Sequence, residues 1–375
     1  MGGAGDMEHV VRACERDTFV ARVGMGVLFR RAALAWIAVS AAACASLSGL
    51  STSSHDAAVD AAAVHDAAVD AGPKAPVAFL FGGSTAEGDG NVTPLSDTWS
   101  FNGDAWAHVA APEGPMGRNG MSATVLGSQV VLFGGIADEN FLNDTWGFSD
   151  DFWTELDDGS GNAPSPRAGP GFAALGSHIV LFGGVNDGFG MNDTWLWDGM
   201  HWSQVNPTTS PASRDGMVMM PFKGGVVLFG GDNNGNTGFD DTWTWDGTNW
   251  TELHPAHHPP ARAYAMSALQ TGEGGGDDSV LLVFGGLVIE SISALGDMWT
   301  WNGTDWTELH PPRAPVARLG GMMASIPTGA VLFGGRNSDS SESYGDTWLW
   351  DGTTWAESHA IGPDARSAGV MMSAP

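Results

Sequence analysis

Cysteine is nearly absent: only Cys14 and Cys44 occur in 375 residues. Both precede residue 45, so the remainder can hold no disulfide framework, thiolate metal site or cysteine nucleophile. Basic charge is scarce too. Lys and Arg number 15 against 43 Asp and Glu, a formal net charge of -28. Such a surface repels phosphate backbones and anionic lipid headgroups, which argues against nucleic acid as a partner. After residue 44 the cations are Lys74, Lys223 and eight arginines, six of which recur periodically. No basic patch is left over. Tyrosine is limited to Tyr264 and Tyr344.

Long apolar runs are also missing where an anchor might be sought. Residues 32–43 are almost wholly apolar, but twelve residues at about 1.5 Å each cannot cross a hydrocarbon core of roughly 30 Å. Arg30-Arg31 before this run and small residues at its end make it an export signal. The stretch ahead is long for a signal, and Met25 would give a more typical start. Ala41-Ala42-Ala43-Cys44 resembles a bacterial lipoprotein cleavage box, which implies lipidation at Cys44; cleavage after Ala43 by an ordinary signal peptidase fits the same residues. Residues 1–44 are therefore read as a signal peptide. Residues 45–76 hold Ala, Ser, Asp and Val, with His55–Asp60 nearly duplicated at His65–Asp70. With no aromatic residue this stretch buries too little to offset chain entropy, and it reads as a disordered spacer.

From residue 77 to 375 one pattern repeats six times. Phe-Gly-Gly begins at Phe81, Phe133, Phe182, Phe229, Phe284 and Phe333, a period of about 50 residues. Each follows an apolar run such as Val130-Val131-Leu132, which reads as a buried strand. The next strand opens with Asp97, Asp144, Asp193, Asp241, Asp297 or Asp346. Thr follows, except at Met298, and then Trp. A turn comes next: Asn-Gly or Asp-Gly in five copies, Asp150-Asp151 in the second. These are hairpin signals. A second tryptophan stands seven residues after the first in every copy. The remaining strand opens with Arg118, Arg167, Arg214, Arg262, Arg318 or Arg366, followed by small residues and Met. An insert at Thr271–Ser279 reads as a loop.

This order of marks resembles the kelch repeat. The resemblance implies an all-β, six-bladed β-propeller with four antiparallel strands per blade. The first copy lacks an Arg-led strand, whereas Arg366–Ala374 stands alone at the other end. The last strand is therefore expected to complete the first blade and close the ring, removing open sheet edges. Kelch-type enzymes related to galactose oxidase use copper held by Tyr and His with a Tyr–Cys crosslink. With no cysteine after Cys44, that cofactor cannot be built here.

The tryptophans read as packing between blades. The first and third strands of a blade run parallel, so the repeat Arg and Asp lie at one rim. Six Arg–Asp pairs tying the blades together are expected. That rim also carries long, variable loops, where recognition concentrates on a rigid scaffold. Candidate ligand-rim residues are Asp89, Asp138, Asp187, Asp232, Asn234 and Tyr344. No cofactor is expected, although the oxygen-rich segment 232–240, with Glu87 and Glu139 in sister loops, suits calcium. His254, His257, His258 and His310 are a weaker transition-metal candidate, because duplication explains two of them. No catalytic residue set stands out. The expected function is a non-catalytic, monomeric, exported propeller. It would be tethered to the cell envelope by a lipid (in the outer membrane, the periplasm or at the cell surface) and bind a protein or glycan. The alternative is a carbohydrate-active kelch enzyme similar to periplasmic sialate mutarotases.

Overall fold

The computed structural model describes residues 74–86, 92–111, 113–271, 278–338 and 343–375. The segment read as a signal peptide, with Met25 and Cys44, the segment read as a spacer up to residue 73, Glu87, Asp89 and residues 272–277 of the insert lie outside the described residues. Among the described residues no helix is long and apolar enough to cross a membrane.

The repeat folds as six four-stranded antiparallel sheets set as blades around a channel. Blade two shows the plan. Ser122–Leu126 is innermost, followed outward by Gln129–Ala137, Asn140–Ser149 and Phe152–Asp157. The second strand of every blade is its apolar spine; Val130, Leu132 and Phe133 are fully buried. Blade one is built from both ends of the repeat region. Val370–Ser373 lies innermost against Ala78–Phe81, which pairs with Thr98–Phe101 and then Trp106–Val109. The expected closure is therefore the closure observed.

Three sets of contacts run from blade to blade, and each closes on itself. The Phe of each Phe-Gly-Gly packs on the fourth-strand Trp of the next blade. Examples are Phe133 with Trp202 at 5.2 Å and, across the seam, Phe333 with Trp106 at 5.4 Å. That same Trp donates its indole N–H to the Thr after the repeat Asp in the preceding blade, as in Trp202 to Thr145 at 2.9 Å and Trp106 to Thr347 at 3.0 Å. Where Thr is replaced by Met298, Trp355 meets only its sulfur at 3.3 Å. The third set is a ring of backbone bonds at the channel mouth. The residue two after each repeat Arg donates its N–H to its counterpart one blade back: Gly169 to Gly120, Gly216 to Gly169, Tyr264 to Gly216, Gly320 to Tyr264, Ala368 to Gly320 and Gly120 to Ala368.

The two rims differ as the spacing implies, with two departures in detail. The Asn-Gly and Asp-Gly turns are four-residue loops, with Phe101 opposite Trp106, and the Asn102 carboxamide accepts from the N–H of Asp104 and Ala105. The divergent Asp150-Asp151 makes the tighter two-residue turn, with φ of 52° and 65°. On the other rim, several of the long loops are β-ribbons that extend the second and third strands. Ala137 pairs with Asn140 in blade two, Asn186 with Phe189 in blade three and Val288 with Ser293 in blade five.

Candidate functional site

The repeat arginines are the scaffold of the long-loop rim. Each is at most 1% exposed. Arg118 spans the Asp144 carboxylate through both terminal nitrogens at 2.6 and 2.7 Å, and also donates to Gly134 O. The other five arginines pair in the same two-pronged way, the seam pair being Arg366 with Asp97 at 2.5 and 2.8 Å. The third-strand Trp donates to the same carboxylate, as Trp146 does to Asp144 at 2.7 Å. Burial opposes ionisation of Asp97, Asp193, Asp297 and Asp346. The guanidinium and the indole N–H nevertheless hold each below the usual carboxylate range.

These pairs lie within one blade, not between blades as the sequence suggested. The arginine ties blades through its backbone instead. Arg118 N–H donates to Leu95 O at 3.1 Å, and its carbonyl accepts from Gly83 at 3.0 Å, both in blade one. The paired glycines make room for this approach: a Cβ on Gly134 would meet Arg167 O at 2.8 Å.

Against this regular background one place breaks the repeat. The residue after each repeat Arg is bridged to the residue after Gly-Gly. The pairs are Asn119 with Ile136, Ala168 with Val185, Ala263 with Leu287, Leu319 with Arg336 and Ser367 with Ser84. In blade four the pair is Asp215 with Asp232, joined by two backbone hydrogen bonds of 3.0 Å. Both side chains are buried, at 3% and 0% exposure. In the next blade Tyr264 stands where four other copies have glycine, at φ 57°. Its ring lies over Gly216, and its hydroxyl donates to Asp215 at 2.7 Å. Asp215, Tyr264 and Arg336 line a pocket of about 240 Å³ at the channel mouth. Below it the inner strands, rich in Met, line a channel of about 520 Å³.

The electrostatics of this spot invert those of the Arg–Asp pairs. Burial, then the charge of Asp232, pushes the Asp215 carboxyl up to about 8, against the pull of the Tyr264 hydroxyl. Burial raises Asp232 to about 6, opposed by the Gly235 N–H. The two carboxyls titrate as a pair. Burial and the same carboxylates drive the Tyr264 phenol well above its ordinary value.

A family model described as the KLHDC2/KLHL20/DRC7 Kelch-repeats domain matches residues 51–220. Kelch repeats are thus recognised over residues 51–220, within a chain that folds as a six-bladed β-propeller. The match opens inside the segment read as a spacer and runs to the first strand of blade four; blades five and six repeat the same architecture. No curated protein matches the chain. Kelch domains generally mediate protein interactions.

The other rim candidates fall into different places on this propeller. Asp138 and Asp187 are exposed at ribbon tips, with φ of 43° and 45°. Each has the short polar side chain that tolerates this left-handed turn conformation. Asp232 and Asn234 are buried at the mouth, and Asn234 donates to Gly188 O of the neighbouring ribbon. Tyr344 stands over a repeat arginine. It covers the Arg318 guanidinium at 4.4 Å, in the position that Phe239 takes over Arg214. The histidines are not gathered. His257 meets Asp305 at 2.8 Å and His258 faces Asp240 at 3.5 Å. Among the described residues no group of three or more His, Cys, Asp or Glu side chains is placed to hold a metal. Sequence reasoning missed Asp215, Tyr264 and Arg336. Their signal was present: aligning the copies one and two residues after the repeat Arg, and one after Gly-Gly, marks them as departures.

Proposed function

We propose that this kelch propeller is a non-catalytic binding module, tethered at the cell envelope through Cys44, that engages a protein partner with its long-loop rim. Exposed apolar side chains carry the reading. Met116, Phe189, Ile292, Val316 and Ile361 all stand on the ribbons and links of that rim, whereas the opposite rim presents Phe152 and Met200. Apolar anchors on a rigid polar rim are the usual centres of protein contact. The net charge of -28 favours a basic partner and salt-sensitive association.

The test is crosslinking and capture from envelope extracts with the full chain, followed by reconstitution with the purified candidate. Phe189→Asp and Ile292→Asp are expected to abolish binding while Met200→Asp leaves it intact. Equal loss in all three would remove the rim from the account, and binding on a glycan array with no protein captured would move the partner to the glycan class. The tether is checked separately. Cys44→Ala is expected to release the chain from the membrane fraction and to end its labelling by radioactive fatty acid.

A further inference from the structure

The repeat supplies its own control for the channel mouth. Five blades complete the bridged position after Arg and after Gly-Gly without an acid pair. The fold therefore does not need Asp215 and Asp232. Two buried like charges side by side are costly unless something compensates them. Each carboxylate has one oxygen satisfied: Asp215 Oδ2 by the Tyr264 hydroxyl, and Asp232 Oδ2 by the Gly235 N–H. The other oxygen of each, Oδ1, is buried with no protein partner.

A second, uncharged group in the same loop is in the same state. Asn234 is 7% exposed and its Oδ1 is also buried without a partner. Its Nδ2 donates to Gly188 O, and its backbone N–H lies beside the Asp215 carboxyl, so the residue is held near the acid pair. Three unmatched oxygens, all acceptors and all out of solvent reach, call for a compact electron acceptor. An organic substrate in the mouth pocket cannot touch oxygens that solvent does not reach, which argues against an acid–base role for the pair. A bare ion can enter among them.

We propose that Asp215, Asp232 and Asn234 hold a hard divalent cation of the calcium class at the channel mouth through these unmatched side-chain oxygens. This inference is independent of the rim-binding reading. The donor set is all oxygen, without imidazole or thiolate, which suits calcium and not a transition metal. Glu290, whose carboxylate accepts from Gly238 N–H and adds negative charge beside Asp232, strengthens the field at the site. Tyr264 is a positioning residue, fixing Asp215 from the neighbouring blade.

The experiment titrates the chelator-stripped full chain with calcium chloride by calorimetry, at about 0.15 M salt so that diffuse attraction to the acidic surface is screened. Thermal unfolding is followed in parallel. One site per chain is expected, with a rise in Tm that grows with calcium concentration. Asp232→Asn and Asn234→Ala should each weaken binding by about tenfold or more, while Asp138→Asn and Asp187→Asn do not change it. Should Asp232→Asn fail to fold, Asn234→Ala decides the matter, with terbium luminescence excited through the protein aromatics as readout. A wild-type chain with no calcium heat and no Tm shift overturns the site. So does weakening by Asp138→Asn as large as that by Asn234→Ala. Rim binding is read without metal through Phe189→Asp, so either reading can fail alone.

Discussion

Removing residues 363–375 takes out the innermost strand of blade one, and the structure sets the scale of the loss. Arg366 is 1% exposed and donates to Asp97 through both terminal nitrogens and to Gly82 O. Breaking a buried pair by removing one partner costs about 3–5 kcal/mol, since the remaining carboxylate is left without its counter-charge. Met371 and Met372 are each 7% exposed, and burial of such a side chain contributes about 1.5–3 kcal/mol. The ladder from Ala78–Phe81 to Val370–Ser373 adds roughly 1 kcal/mol per hydrogen bond. The combined loss is on the order of 10 kcal/mol, comparable with the ~5–15 kcal/mol that holds a typical domain folded. The truncated chain should therefore lose its cooperative urea transition, followed by tryptophan fluorescence, and should aggregate through the uncovered edge of Ala78–Phe81. Arg366→Met alone should lower stability by about 3–5 kcal/mol and remain monomeric. A truncated chain that unfolds at the same urea midpoint as the intact one would show that the seam contributes nothing.

Two further outcomes follow from the packing and the charges. Thr145→Val leaves the buried indole N–H of Trp202 without its acceptor and should cost about 1–3 kcal/mol, read as a lower urea midpoint. The same substitution at solvent-facing Thr251 should change nothing measurable. The proton affinities set opposite slopes for stability against pH. The lowered carboxyls of Asp97, Asp193, Asp297 and Asp346 contribute stability above their unfolded values near 3.8 and lose it as pH falls through the folded ones. Asp215, raised to about 8, contributes in the other sense: its share is present below the unfolded value and is lost as pH rises toward the folded one. In metal-free buffer, the Tm of Asp215→Asn relative to wild type should therefore climb between about pH 5 and pH 9. A difference that stays flat would mean that Asp215 ionises freely in the folded state.

The architecture was legible because the marks that carry it are local and repeated. Phe81 and its counterparts announce the spine strand, and a fixed Trp-to-Trp spacing announces the outer hairpin. Closure followed from a missing first strand at one end and a surplus one at the other. The pairing of Arg118 with Asp144 was legible as well, since both open parallel strands of one sheet. Its confinement to one blade was missed because the inter-blade link is made by the arginine backbone, which leaves no residue signature. The contact of Tyr344 with the Arg318 guanidinium was hidden while that residue stood alone among the rim candidates. Beside Leu95, Leu142, Met191, Phe239 and Leu295, each two residues before a repeat Asp, it is the sixth apolar cover. The mouth site stayed hidden for the converse reason. Asp215 follows a repeat arginine and looked like part of the motif, and Tyr264 reaches Asp215 only because the fold brings two blades side by side.

Ala374 donates its N–H to Val77 O at 2.9 Å, so the two ends of the repeat region meet on one blade. A molecule whose ends touch has no preferred place to begin. Fusing the tail directly to Val77 and cutting the backbone anew in a link such as 206–213 should yield a circular permutant with the same six blades, and the order in which they leave the ribosome becomes a variable open to experiment.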